Sequence, residues 1–272
     1  MAVRKLYVIG NGFDKHHGLP CGHADFRVWL QGNKPEVCHN LIRIYEDCQS
    51  DNWCDFENSL VSFNLDNYPY DVTRLDLQKL KCELNNALGE WSKTIGIPEP
   101  ESIIDDIDRS ALFFTFNYTR TLEDLYGIDE SRVVHLHGSV GNNVFVFGHD
   151  SMGDGVSDYD LQDARNVRMD ADLYKDMVHI KMSQEFADVF RKPVGEIMEK
   201  YKSDFEMLTG IEEMIVLGFS YSEIDLPYLK RIIEVTGDDI NGTFGYHTMD
   251  DGNNALACAA ELELSYCKLV KF

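Results

Sequence analysis

Basic residues are scarce in this chain: 25 Lys and Arg stand against 47 Asp and Glu, for a formal charge of -22. A surface so acidic repels polyanions, whereas nucleic-acid binders display a basic face, so DNA and RNA are not expected partners. A small anionic nucleotide is still allowed, because backbone N–H groups at a helix start can hold a pyrophosphate without a basic patch. Paired cysteines are also missing. The seven Cys (Cys21, Cys38, Cys48, Cys54, Cys82, Cys258 and Cys267) are scattered, odd in number and form no C-x-x-C, which argues against a disulfide framework or a zinc knuckle. Reduced thiols of a cytosolic protein fit them best. Long hydrophobic runs are absent too: no window approaches the roughly 18 apolar residues of a membrane span, and no signal-like segment precedes the first apolar run. The expectation is a cytoplasmic protein with no membrane contact.

What is present suffices for a sizeable core, since 44% of the 272 residues are hydrophobic and 11% aromatic. Short apolar runs predict strands at Leu6 to Gly10, Ala111 to Asn117, Arg132 to His137, Val144 to Gly148, Met214 to Gly218, Thr243 to His247 and Lys268 to Lys271. Most are near-continuous rather than alternating, the pattern of strands covered on both faces. The predicted fold class is therefore α/β, a Rossmann-like, mostly parallel sheet with helices on both faces. About a hundred residues separate the first two strands, far more than one crossover needs, so a helical insertion over 24–100 is expected within a core of 1–23 and 101–272. Leu77, Leu80, Leu84, Leu88 and Trp91 mark one amphipathic helix in that insertion. A second stripe runs from Phe186 through Val189, Phe190, Val194, Ile197, Tyr201 and Phe205 to Leu208, with Pro193 opening a new helix inside it. Asp150 to Asp172 holds seven Asp with Gly153 and Gly155 and reads as a solvated loop or a lid.

Four motifs sit at strand ends, where open α/β sheets bind ligands. The first is Gly10-Asn11-Gly12-Phe13-Asp14, followed by Gly18-Leu19-Pro20. Glycines directly after a buried strand allow a tight turn and let backbone N–H groups approach a phosphate, although an ordinary strand-to-loop turn looks the same. It lacks the third glycine of the dinucleotide fingerprint and the lysine of a P-loop. The second is Thr115-Phe116-Asn117-Tyr118-Thr119, whose Asn117 reads as a ligand-facing amide or a helix cap. The third is Val134-His135-Leu136-His137-Gly138, where alternation predicts both histidines on one face and His137 nearer a substrate. The fourth runs from Gly218 through Ser220, Ser222 and Asp225 to Pro227, with hydroxyls for ribose or phosphate and an apparent helix cap at Asp225.

These motifs, with Trp53-Cys54-Asp55-Phe56-Glu57, Phe147-Gly148-His149, Lys192-Pro193 and the run Leu217 to Tyr228, resemble the AbiH family of bacteriophage abortive-infection proteins over nearly the whole chain. That family in turn is similar to the sirtuin-like fold, with its G-A-G turn, G-I-P or G-L-P, N-Y-D or N-I-D segment, histidine before glycine and late G-x-S turn. The sirtuin likeness implies Gly10 and Gly12 at a pyrophosphate, Asn117 beside the nicotinamide ribose, His137 as general base, and Gly218 with Ser220 at the far ribose or phosphate. Asn11, Phe13, Asp14, Gly18, Pro20, His135, Gly138 and Asp225 complete the expected nucleotide-contacting set. Three positions depart from it: Asn11 replaces alanine, Asp14 serine and Thr119 aspartate.

The implied activity is NAD cleavage in phage defence, with NAD as substrate, no metal, and Asn117 and His137 as the catalytic pair. Binding of NAD or ADP-ribose without chemistry, as a sensor or scaffold, is the alternative. A third, a metal phosphoesterase, would draw on His135, His137, His149, Asp150 and Asn117. Implied partners are a small nucleotide and either further copies of the chain or a partner protein of a defence system, because such an enzyme needs restraint until infection.

Overall fold

The computed structural model describes residues 4–45, 48, 56–60, 74–99, 104, 107–149, 162, 170–237 and 239–272. Trp53, Cys54, Asp55 and the expected lid at 150–169, Gln162 apart, lie outside the described residues, as does the Phe186 side chain. Six strands, β1 (Lys5–Ile9), β2 (Leu112–Thr115), β3 (Val133–His135), β4 (Glu213–Leu217), β5 (Asn241–Tyr246) and β6 (Tyr266–Lys271), form one sheet in the order β3-β2-β1-β4-β5-β6. Every pairing is parallel. The near-continuous apolar runs have a direct cause. Leu6 and Val8 join Phe114, Met214, Val216 and Phe244 in one buried cluster, while Tyr7 and Ile9 join Phe113 and Leu217 in another. Because successive strand residues point to opposite faces, a sheet covered on both faces needs apolar side chains at every position. Tyr7 and Phe113, register partners, stack with ring centroids 5.0 Å apart.

The chain divides into two compact units, one of 1–22, 89–146 and 193–272, which carries the sheet, and one of 23–88 and 147–192. The first contains α1 (Asn11–His16) directly after β1. The second contains α2 (His23–Asn33), α3 (Pro35–Ile44) and α4 (Phe56–Ser59). α5 (Arg74–Ser92) buries all five residues of the first predicted stripe. α6 (Thr121–Asp124) is a single turn. The second stripe is divided among α7 (Ala171–Val189), α8 (Val194–Lys200) and α9 (Lys202–Glu206), with Pro193 at the N-cap of α8. α10 (Leu226–Thr236) follows β4 and α11 (Met249–Glu261) follows β5.

Six of the seven predicted strands form, and the seventh does not. Val144–Gly148 is irregular. Its backbone polar groups go to single contacts, Val146 N–H donating to the His137 carbonyl and Val146 O accepting from the Tyr118 hydroxyl, so no ladder is built.

The order 3-2-1-4-5-6 reverses between β1 and β4, which places a switch-point crevice beyond their carboxyl ends. There Gly218 takes φ 62°, and a Cβ on it would meet the Phe13 nitrogen at 2.0 Å. Gly18 also has positive φ, 76°, but nothing lies within 4 Å of its Cβ position. Gly18→Ala should therefore cost only the left-handed penalty of about 1 kcal/mol. Gly218→Ala should cost well over about 2 kcal/mol, since backbone must move as well. Urea unfolding midpoints of the two variants test that ordering.

Candidate functional site

The glycine turns after β1 and β4 grip each other. Gly10 N–H donates to Leu217 O at 3.0 Å, Gly12 N–H to Gly218 O at 2.7 Å and Phe13 N–H to Gly10 O at 3.0 Å. A Cβ on Gly10 would lie 2.5 Å from Gly218 O, and one on Gly12 2.8 Å from the Gly218 Cα. The close approach that these glycines permit is thus to another backbone turn, and two of the N–H groups expected at a pyrophosphate are spent inside the protein. Asn11 closes the loop by donating from Nδ2 to Cys21 O at 3.0 Å. Phe13 is fully buried against His17 and Tyr126. Gly18 follows the last residues of α1 in left-handed conformation, its N–H donating to Lys15 O, and Pro20 is exposed.

Asp14, one turn into α1, is 1% exposed and accepts a short hydrogen bond from the Thr119 hydroxyl through Oδ2. Thr121 donates in turn to Thr119 Oγ1 at 3.3 Å. Burial pushes the Asp14 pKa up to about 6, opposed by hydrogen bonds from Thr119 and Thr121, the His135 charge and a hydrogen bond from Asn117. Asp14 Oδ1 and Asn117 Oδ1 are both buried and find no hydrogen-bond partner among the described residues. Two buried acceptor oxygens, one in α1 and one just past β2, are therefore without a donor among the described residues.

His135, the last residue of β3, is held at both nitrogens. Nδ1 lies 3.0 Å from Asn117 O and Nε2 3.0 Å from Glu123 Oε1. Burial would raise the Glu123 pKa, but the His135 hydrogen bond and charge outweigh it and the net shift is downward. The Tyr201 hydroxyl donates to the His135 carbonyl at 2.9 Å. His135 is a brace for the Asn117 backbone.

His137 faces elsewhere. β3 ends at His135 and the chain turns at Leu136, so the alternation that predicts a shared face stops one residue too soon. Its ring meets Phe116 edge-on at 4.9 Å and Tyr228 at 5.6 Å, and Nε2 lies 3.7 Å from Asp225 Oδ1. Gly138 has φ 83°, and a Cβ there would lie 1.9 Å from Val144 O, so only glycine permits this turn. Ser220 is exposed just past the glycine lock. Among the described residues no group of three or more His, Cys, Asp or Glu side chains is arranged to hold a metal ion.

A second cluster, in the other unit, joins three motifs that the nucleotide reading leaves unused. Glu57 Oε1 accepts from Gly148 N–H at 3.1 Å, and Oε2 lies 3.2 Å from Lys192 Nζ. The segments bearing Gly148 and Lys192 pair through His149 N–H to Phe190 O and Lys192 N–H to His149 O. Gly148, at φ 134°, comes so close to Phe190 O that a Cβ would lie 2.0 Å from it. His149 is fully buried, with Nε2 2.9 Å from Ala187 O.

The Asp14 network allows a pH test. Its folded pKa, about 6, lies above the ordinary 3.8, so the fold disfavours the ionised form. The stabilising contribution of the protonated form is complete below about pH 4 and is lost as pH rises through 6, a change of roughly 2–3 kcal/mol. Asp14→Asn should raise the urea midpoint at pH 7.5 and flatten its pH dependence between 4 and 7. A lower midpoint at pH 7.5 would show that the ionised carboxylate is favourable.

An all-parallel sheet in this order, with polar side chains gathered at the carboxyl ends of β1, β2 and β3, defines a Rossmann-like α/β protein. Residues 6–74 and 66–246 match the family described as Bacteriophage abortive infection AbiH. The chain belongs to that family, and its role is in abortive-infection defence against phage. No curated protein matches the chain. No described helix is long and apolar enough to cross a membrane.

Proposed function

We propose that this protein is an abortive-infection effector that hydrolyses NAD to nicotinamide and ADP-ribose in a sirtuin-like pocket at the ends of β1 to β4. The observation that carries the reading is the hydrogen bond between Thr119 and Asp14. These are two of the positions at which the sequence departs from the sirtuin pattern: a carboxylate stands where serine is expected and a hydroxyl where aspartate is expected. Their side chains touch, so the two departures are a single exchange that keeps one hydroxyl and one carboxylate in one place.

Breaking the nicotinamide–ribose bond leaves cationic character on the ribose, so the site must hold the sugar, place a water and take its proton. Asn117 Oδ1 and Asp14 Oδ1 supply acceptors for the water and sugar hydroxyls. Ionised Asp14 also places negative charge near the developing cation. Nicotinamide departs with the electron pair of the broken bond, and the water proton goes to the general base, the role that the sirtuin likeness gives to His137. With the Gly10, Gly12 and Phe13 N–H groups engaged, phosphate contacts fall to the exposed Ser220. Incubation of NAD with protein taken from phage-infected cells should release nicotinamide. Asp14→Asn should lose activity while it gains stability, a trade expected of a charge kept for function.

One observation favours the alternative of a nucleotide sensor without chemistry: the engaged glycine N–H groups remove part of a tight pyrophosphate cradle. Tight binding of NAD or ADP-ribose with no nicotinamide from infected cells would select it.

A further inference from the structure

Asp225 occupies the N-cap position of α10 but does not cap it. Its backbone there is already helical, at φ -104° and ψ -6°, and its side chain makes no bond to a helix N–H. Pro227, at the second position of the helix, removes one of the N–H groups that a cap would serve. The carboxylate lies instead 3.7 Å from His137 Nε2, with the two side chains only 13% and 5% exposed. Phe116 and Tyr228 press on the same imidazole edge-on.

We propose that Asp225 is the positioning residue for His137, a buried carboxylate whose charge stabilises the ring's protonated form. This rests on the reading of His137 as the proton acceptor. At 3.7 Å the carboxylate makes no hydrogen bond to Nε2 and acts on the ring through its charge. When the ring takes the proton from the attacking water, the resulting imidazolium lies against a negative charge in a poorly hydrated place, where attraction is strong. Asp225 and the Tyr228 phenol, both from α10, are titratable groups that face the ring. Of these two, the carboxylate favours its cationic form near neutral pH.

The test is an NMR titration of the full chain labelled at histidine, with the His137 signals assigned through His137→Gln. In Asp225→Asn the His137 midpoint should fall by about one pH unit or more, and the acidic limb of nicotinamide release should move down with it. Asp225→Glu, which keeps the charge, should lie between the two. If the Asn variant does not fold, Asp225→Ser offers a neutral residue well suited to an N-cap and gives the same comparison. A His137 midpoint unchanged in a folded neutral variant overturns the dyad. A shifted midpoint in a protein that never releases nicotinamide leaves the dyad standing and overturns the NAD reading instead.

Discussion

His137→Gln in a folded protein is expected to cut nicotinamide release by about 10²–10⁴-fold, the range for loss of a general base. Glutamine is preferred to alanine because the ring fills a site 4% exposed between Phe116 and Tyr228, where truncation would add a cavity penalty. The loss should fall on kcat with little change in KM, because proton transfer belongs to the transition state and not to ground-state binding. Asn117→Ala should lose activity on a similar scale, with a stability cost limited to its side-chain hydrogen bond to Asp14. Its backbone carbonyl still lies beside His135, and its buried Oδ1 has no hydrogen-bond partner among the described residues. His135→Ala makes the contrast, since it removes a brace bonded at both nitrogens and should lower the thermal midpoint together with activity. Turnover by His137→Gln and Asn117→Ala equal to that of the unaltered protein would dismiss both assignments.

The sequence could reveal the sheet because burial on both faces writes itself as unbroken apolar runs, and the runs around Val8, Phe114 and Val216 need no other explanation. Val144–Gly148 carries the same signature for another reason. Phe145 and Phe147 are buried, yet the backbone between them bonds to a hydroxyl and to the His137 turn. Apolar content reports burial, and strand pairing is a separate matter. The site was legible as a set of strand-end motifs but not in its pairings. A glycine that approaches a phosphate and one that approaches another turn obey the same steric rule, so Gly10, Gly12 and Gly218 could not be sorted without the partner in view. An aspartate before a helix with proline in its first turn reads as a cap, and nothing local shows that Asp225 turns toward His137. Asp14 and Thr119 each read as a departure from a pattern, and nothing local shows that the two side chains meet across 105 residues of sequence. Glu123 was missed outright. Its signal was its place on the single turn that follows the Asn117 motif, four residues beyond Thr119.

Glu57→Gln is expected to destabilise the unit of 23–88 and 147–192 more than Lys192→Met does. Both variants break the same pair, so a simple count of contacts would make them equal. The difference lies in what each leaves behind. Lys192 is wholly enclosed, with 0% side-chain exposure, so its ammonium cannot recover by hydration what it loses with the carboxylate. Glu57 retains 18% exposure, so without the lysine it can draw on water while still accepting from Gly148 N–H. Methionine also matches the lysine stem in volume and fills the apolar part of the site. Hydrogen exchange separates a local effect from a global one. Protection should fall at Gly148, His149 and Lys192, whose N–H groups belong to this junction, before it falls in β1 or β4. Equal losses in the two variants would mean that the pair acts through its packing alone. A larger loss for Lys192→Met would make the lysine's own attachment, and not charge compensation, what holds the Phe147 and Lys192 segments to α4.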